Sequence, residues 1–180
     1  MKIDDGKGSG IQAEVNIDNQ LSVFSASETR AAHEADHSGR VFFFTDIYNY
    51  AAADTILWLA NTSTTQRLVI DKVHVTSDTT TQFTIHSPTY AAPAGTSVTG
   101  TNSNRQSGAT AQAECYRDET NNAQANIIAQ GIVLANTEII FPVDGKIILA
   151  YHDTLAVDFV TVGTLGGAVF VAYYVDPEST

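Results

Sequence analysis

The amino-acid sequence predicts an all-β protein, a sandwich or barrel of short strands. Three observations carry this prediction. Apolar and polar residues alternate at period two over most of the chain, β-branched and aromatic residues fill the alternating runs, and polar turns rich in Gly, Asn or Asp separate them. A chain of 180 residues is long enough to bury about 70% of its unfolded surface in a single core. The lone Cys115 excludes an internal disulfide and reads as a small strand hydrophobe, so packing and backbone hydrogen bonds must hold the fold.

Residues 1–13 are small, charged and Gly-rich, with Gly6, Gly8 and Gly10 breaking any regular pattern, and they read as a mobile arm. AEVNIDNQLSVF then puts Ala13, Val15 and Ile17 on one face, turns at Asp18-Asn19 and resumes alternation at Leu21 and Val23, which is a hairpin signal. From Ser25 to Gly39 the period changes. Ser27 is placed to cap a short helix carrying Glu28, Ala31, Ala32 and Ala35, which Gly39 ends and which is too polar to enter a core deeply. Ten strand-like runs follow: VFFFTDI, TILWLAN, RLVIDKVHVT, TQFTIHS, ATAQAECY, ANIIAQGIVL, TEIIFPV, KIILAY, TLAVDFVTV and AVFVAYYV. Residues 1–40 are thus assigned to an arm, hairpin and linker, and 41–180 to the sandwich.

Two shifts of phase predict bulges. The apolar set moves from Leu68 and Ile70 to Val73 and Val75, which places a bulge near Asp71-Lys72; Leu155, Val157 and Phe159 give way to Val160 and Val162, which places a second after Phe159. The stretch from Ser87 to Gly108 contains Pro88, Pro93, Gly95, Gly100 and the polar TNSNRQSG, and reads as a long exposed loop of the kind that carries binding on a rigid β scaffold.

With 20 acidic against 9 basic side chains the formal net charge is −11, which repels phosphate backbones and anionic lipid headgroups; neither nucleic acid nor a membrane is an expected partner. MKIDDGKGSG has no apolar stretch to serve as a signal peptide, and no window approaches the ~18 apolar residues of a membrane span. The expectation is a chain made in the cytoplasm and soluble there unless an assembly carries it elsewhere.

His33-Glu34-Ala35-Asp36-His37 fits H-E-x-x-H, in which two imidazoles one helical turn apart hold zinc and the Glu activates water. Against that reading stand the polar surroundings, a stop at Ser38-Gly39, and the absence of a downstream helical Glu as third ligand; a solvated linker face fits better. GKGSG with Lys7 superficially resembles a phosphate-cradling loop but lacks the preceding strand and following helix. Asp4-Asp5 and the run Asp118-Glu119-Thr120-Asn121-Asn122 offer oxygen ligands for calcium without matching any loop pattern. His74 should face outward between Val73 and Val75, and His86 and His152 lie near strand ends. Trp58, Tyr48, Tyr50, Tyr90 and Tyr151 are candidates for a sugar-binding surface, although Trp58 inside TILWLAN fits a core position better. The Asn61-Thr62-Ser63 sequon matters only for a secreted chain. No cofactor and no catalytic group is assigned.

Several segments in order carry a family resemblance: GSGIQAEVNIDNQLSV, AAHEADHSGRVFFF, WLANTSTTQRLVIDKV, TGTNSNRQSGATAQAECY with Asn102 and Asn104 before Ser-Gly, and the closing FPVDGKIILAY and AVFVAYYV. Together they resemble small virion proteins of tailed bacteriophages, of the head decoration or cement type. The resemblance implies a jelly-roll-like sandwich docked on the major capsid protein at the capsid exterior as a symmetric oligomer, commonly a trimer, with no catalytic residue. The N-terminal arm and hairpin then supply the expected partner contacts, Lys2, Ile3, Lys7, Ile11, Val15, Leu21 and Val23. Two other functions stand beside this one: a carbohydrate- or receptor-binding module of a tail appendage, and a zinc hydrolase built on His33, Glu34 and His37.

Overall fold

The computed structural model describes residues 2–4, 12–15, 21–23, 30–50, 55–120, 123–160 and 164–176. The chain divides into two compact units, Met1–Arg30 and Ala31–Thr180. In the first, β1 (Lys2–Asp4), β2 (Gln12–Val15) and β3 (Leu21–Val23) form an antiparallel sheet in that order. The expected hairpin is present, with Ala13 opposite Val23 and Val15 opposite Leu21. The expected arm needs correction at its start, because Lys2–Asp4 is a strand whose Ile3 lies opposite Ala13. Ile17, Lys7 and Ile11 lie outside the described residues.

The second unit opens with a short helical segment, α1 (Arg30–His33), that continues as a π-helical turn over Glu34–Ser38. Gly39 ends it at φ 59°, a left-handed conformation that glycine adopts without steric cost. Ala31 and Ala35 pack on a cluster of Val41, Val69, Val171, Tyr173 and Val175. The helical segment therefore belongs with the sandwich, and the boundary falls at Arg30/Ala31 where a 40/41 division was expected.

Eleven strands follow: β4 (Val41–Tyr50), β5 (Thr55–Asn61), β6 (Arg67–Ser77), β7 (Thr81–His86), β8 (Thr96–Ser97), β9 (Thr101–Asn102), β10 (Ala113–Arg117), β11 (Ile127–Val133), β12 (Thr137–Leu149), β13 (Thr154–Phe159) and β14 (Thr164–Val175). They make one sheet of order β11-β7-β13-β5-β10-β8 and a second of order β12-β6-β14-β4-β9, antiparallel throughout. Leaving aside the short β8 and β9 and the added β10, eight long strands remain. The first pairs with the last (β4 with β14), the second with the seventh (β5 with β13), the third with the sixth (β6 with β12), and the two middle ones with each other (β7 with β11). One long folded hairpin wrapped across two sheets is the jelly-roll connectivity.

Alternate residues of both sheets meet in one dry core, with Phe42, Phe44, Leu57, Leu59, Val73, Val75, Phe83, Ile85, Leu155, Val157 and Phe170 among those removed from solvent. Burial of this apolar area supplies the main favourable term in folding. Arg117 bridges the sheets at one end, binding both oxygens of Asp46 at 3.3 and 3.1 Å while its guanidinium lies 4.6 Å over the Tyr48 ring.

The predicted bulge at Asp71-Lys72 is present: Lys72 pairs with Val171 and Ile70 with Ala172, leaving Asp71 as the extra residue. Of the bulge expected after Phe159, Val162 lies outside the described residues; β13 ends at Phe159, Val160 is an exposed bend, and an irregularity sits two steps earlier, between Val157 and Asp158. TEIIFPV and KIILAY are one strand, since β12 runs through both with an excursion between Pro142 and Ile147. Asp144 and Gly145 take positive φ values of 51° and 72° inside it, so the chain bends while both halves keep pairing with β6.

Candidate functional surfaces

The segment from Ser87 to Gly108 was expected to be a solvent-exposed loop, and the structure corrects this for its first half. Pro88 is buried, accepting a hydrogen bond from the Thr154 hydroxyl, and Tyr90 packs against Trp58 across the outer face of the first sheet. Trp58 is 1% exposed as its strand context implied, but it sits in this outer layer with Ala60 and Ala156, not in the central core. The loop folds back because the sheet beneath it is apolar on both faces: every residue of β5 and β13 is buried.

Glu119 holds the next part of the loop. Its carboxylate accepts hydrogen bonds from the backbone N–H groups of Ala94 at 2.7 Å and Gly95 at 3.0 Å, and the side chain is buried. The acidic run that offered oxygen ligands for calcium thus spends one of its two carboxylates on the backbone of the long loop; Asn121 and Asn122 lie outside the described residues.

Beside it on the same outer face is a buried polar cluster. Asp158 accepts from the Thr55 hydroxyl at 2.7 Å and the Gln124 amide at 3.1 Å, and His86 Nε2 stands 2.9 Å from its second oxygen, at an angle that makes no hydrogen bond. The Ala125 N–H points at His86 Nδ1, which leaves Nε2 to carry the proton toward the carboxylate in the neutral ring. Chemically this joins β7, β13 and the approach to β11. The Thr55 hydroxyl donates to Asp158, not to the imidazole, so the two form no nucleophile–base chain. Sequence reading places His86 only near a strand end and misses its partner; the alternation of Phe83 and Ile85 turns His86 outward, but nothing local points to Asp158, which lies far along the chain.

A third feature on this side is a stack of rings. His152 lies between Tyr90, 4.0 Å away and parallel within 3°, and Tyr151, 3.8 Å away at 23°. Tyr90 donates to Glu114 at 3.0 Å, and Tyr151 is exposed. Tyr50, in contrast, is buried and donates to the Ile56 carbonyl at 2.7 Å, so it is no part of a sugar platform.

The H-E-x-x-H segment lies on the other sheet. Glu34 is buried and accepts a hydrogen bond from Ser38 within its own turn, while His33 is exposed; the carboxylate that a hydrolase needs as a base closes the helix end instead. Among the described residues no group of three His, Cys, Asp or Glu is arranged to hold a metal ion. The turn is latched by the second half of the long loop. Asn102 Nδ2 lies within bonding distance of the Gly39 and Ala109 carbonyls and the Ser107 hydroxyl, at 2.7, 3.0 and 2.8 Å, and Asn104 Nδ2 donates to the Ala35 carbonyl at 3.2 Å. Gly39 also has to be a glycine because a Cβ there would meet the Ser107 side chain at 2.2 Å.

Beyond the helical segment the outer face of the second sheet carries exposed side chains among the described residues. Its inward residues, such as Phe42, Phe44, Val73, Val75, Ala168 and Phe170, fill the core, so their neighbours point away. Register aligns these neighbours into rows across four strands. The middle row is Ile140, His74, Val169 and Thr45; Pro142, Lys72, Val171 and Phe43 flank it toward the helix, and Glu138, Thr76, Gly167 and Ile47 flank it on the far side. Ile47 is 64% and Ile140 51% exposed. His74 faces outward as expected and binds Glu138 at 2.7 Å. At the edge of the first sheet, β11 carries the exposed Ile127, Ile128 and Ile132. The expected partner contacts Lys2, Ile3, Val15, Leu21 and Val23 are strand residues of the N-terminal sheet. No protein-family model, no curated protein and no solved structure matches this chain.

Proposed function

We propose that this chain is a structural protein of a virion, of the capsid decoration or cement type, which binds the major capsid protein as an oligomer on the capsid exterior. The observation that supports this best is the outer face of the second sheet. Exposed apolar side chains gathered on one sheet face, here Phe43, Ile47 and Ile140, suit a surface that a partner covers, and they occur on a chain of net charge −11 whose remaining surface resists association. Assembly at high copy number suits such a surface, because many modest contacts add through avidity. In this reading the N-terminal sheet, through Lys2, Ile3, Val15, Leu21 and Val23, makes the contact with the capsid, and the chain performs no turnover.

The reading is tested by attachment to empty capsids. Purified full-length chain is expected to bind saturably, and a variant lacking residues 1–12 to lose most of that affinity. Unchanged attachment of the shortened chain would remove the N-terminal unit from the docking role.

A second reading, a carbohydrate-binding module of a tail appendage, draws on the Tyr151–His152–Tyr90 stack. An exposed ring on a rigid support beside a carboxylate is how sugars are gripped on β scaffolds. A saturable hit on a glycan array that Tyr151→Ala abolishes would favour it over the first.

A further inference from the structure

The three outer rows on the second sheet, in which Phe43, Ile47 and Ile140 are exposed while Val171 and Gly167 are buried, have a property that points to one occupant, a second copy of this chain. We infer that two copies pack these faces against each other about a two-fold axis that lies along the middle row.

The operation can be followed residue by residue. A two-fold axis in the interface plane, perpendicular to the strands, keeps each residue over its own strand and exchanges the rows on either side. The middle row meets itself, so Ile140 lies over Ile140 and Val169 over Val169. Phe43 of one copy lies over Ile47 of the other, both being on β4. Lys72 lies over Thr76, with Glu138 one strand away, or about 4.8 Å to the side. Each ammonium therefore reaches the other copy's Glu138, and the contact carries two such pairs. Among the described residues of one copy Lys72 makes a long contact of 3.9 Å to Asp71.

Charge and shape agree with this choice. Apart from Glu138, paired with His74, and Asp71, beside Lys72, the three rows hold no carboxylate. Two chains of net charge −11 meet there with the least repulsion. The helical segment covers this face at one end only, where Ala31 and Ala35 sit on Val69 and Tyr173. Copies stacked in the same sense would bring helix against helix and hold the sheets apart. The two-fold puts the helices at opposite ends.

Magnitude follows from the spacings. Four strands ~4.8 Å apart and three rows ~6.8 Å apart project to roughly 400 Å² per copy, below the ~800 Å² per partner of a standard interface. The expected association is weak and concentration-dependent in solution, and is reinforced wherever copies are concentrated on a surface. The inference deepens the assembly reading, but its test involves no capsid, so either can fail without the other.

Sedimentation velocity of the full chain over a wide concentration range is the experiment. A monomer–dimer equilibrium is expected, weakened at least ~10-fold by Ile140→Asp, whose near-ultraviolet circular dichroism should remain native because the side chain is exposed. Lys72→Glu and Glu138→Lys should each weaken it, and the double variant K72E/E138K should recover most of the loss. A monomer at every concentration, a trimer, or a dimer indifferent to Ile140→Asp would overturn the inference. A double variant no better than its parents would overturn the two-fold registration.

Discussion

Gly166 offers the sharpest quantitative test of the packing. A Cβ built on it would stand 2.1 Å from Phe159 Cε2, with the next two ring carbons at 3.0 and 3.1 Å, whereas carbon atoms in contact prefer about 3.5–4.0 Å. Relief requires the Phe159 ring to retreat by more than 1 Å, to judge from those separations. It has little room to do so, being buried and set edge-on against Tyr50 at a centroid distance of 6.4 Å. Gly166→Ala is therefore placed at the upper end of overpacking costs, about 3 kcal/mol. For a chain of this size that lowers Tm by roughly 6–12 °C. Urea unfolding followed by the fluorescence of Trp58, the only tryptophan, measures it directly. Phe159→Leu removes the ring that the new methyl meets, so the double variant should be less destabilised than the sum of the singles by at least ~1 kcal/mol. A Gly166→Ala chain within ~0.5 kcal/mol of the parent, or singles that simply add, would show that the two sheet faces are not packed as described.

Trp58 should emit at short wavelength and resist iodide in the native chain, and Tyr90→Ala, which strips its cover, should shift the emission to the red and admit the quencher. Asn102→Ala removes two amide donors shared among Gly39, Ser107 and Ala109; a loss of about 1–3 kcal/mol is expected, together with faster hydrogen exchange at Asn104, whose N–H is held by Asn102 Oδ1. Stability should fall in alkali. Burial raises the Cys115 thiol well above its ordinary 9.0, and burial with the nearby Asp46 raises the Tyr50 hydroxyl above 10.0. Both stay protonated in the fold after the unfolded chain has lost its protons, so the unfolded state binds fewer protons and the stability contribution is intact below about pH 9 and declines above it. Equilibrium unfolding from pH 7 to 11 measures this, and a flat profile would contradict the burial of both groups.

The strands were legible in the sequence because period two is a strong local signal. TILWLAN matches β5 residue for residue, and the Asp71-Lys72 bulge announced itself as a phase change. What lay beyond local pattern was which face each set of side chains serves. VFFF, EIIF and AVFV are apolar at consecutive positions, which means apolar on both faces. In a sheet, that leaves open whether the second face is covered by the chain's own loops or by nothing. Trp58 and Tyr90 went one way, Phe43, Ile47 and Ile140 the other. The polar contacts were illegible for a related reason. Glu119 and Asp158 find partners 24 to 103 positions away in the chain, and only the jelly-roll wrapping brings them together. The H-E-x-x-H spacing carried a misleading signal, since Glu34 turns inward to Ser38.

The contrast between the two outer faces bears most directly on function. On the first sheet the chain invests the long segment after Ser87 and the Glu119 carboxylate to cover Trp58, Ala60 and Ala156. On the second sheet it lays a two-turn helix over Val69 and Tyr173, latches it with Asn102 and Asn104, and stops. The next rows along the same strands mix polar side chains such as His74, Lys72 and Glu138 with apolar ones, of which Phe43, Ile47 and Ile140 are exposed. A single polar residue at Ile47 or Ile140 would make this face inert at negligible cost to the core, because both side chains point away from it. Apolar residues that are cheap to replace and are nevertheless present at Phe43, Ile47 and Ile140, opposite a face where Trp58 is covered, are the feature on which the proposed assembly rests.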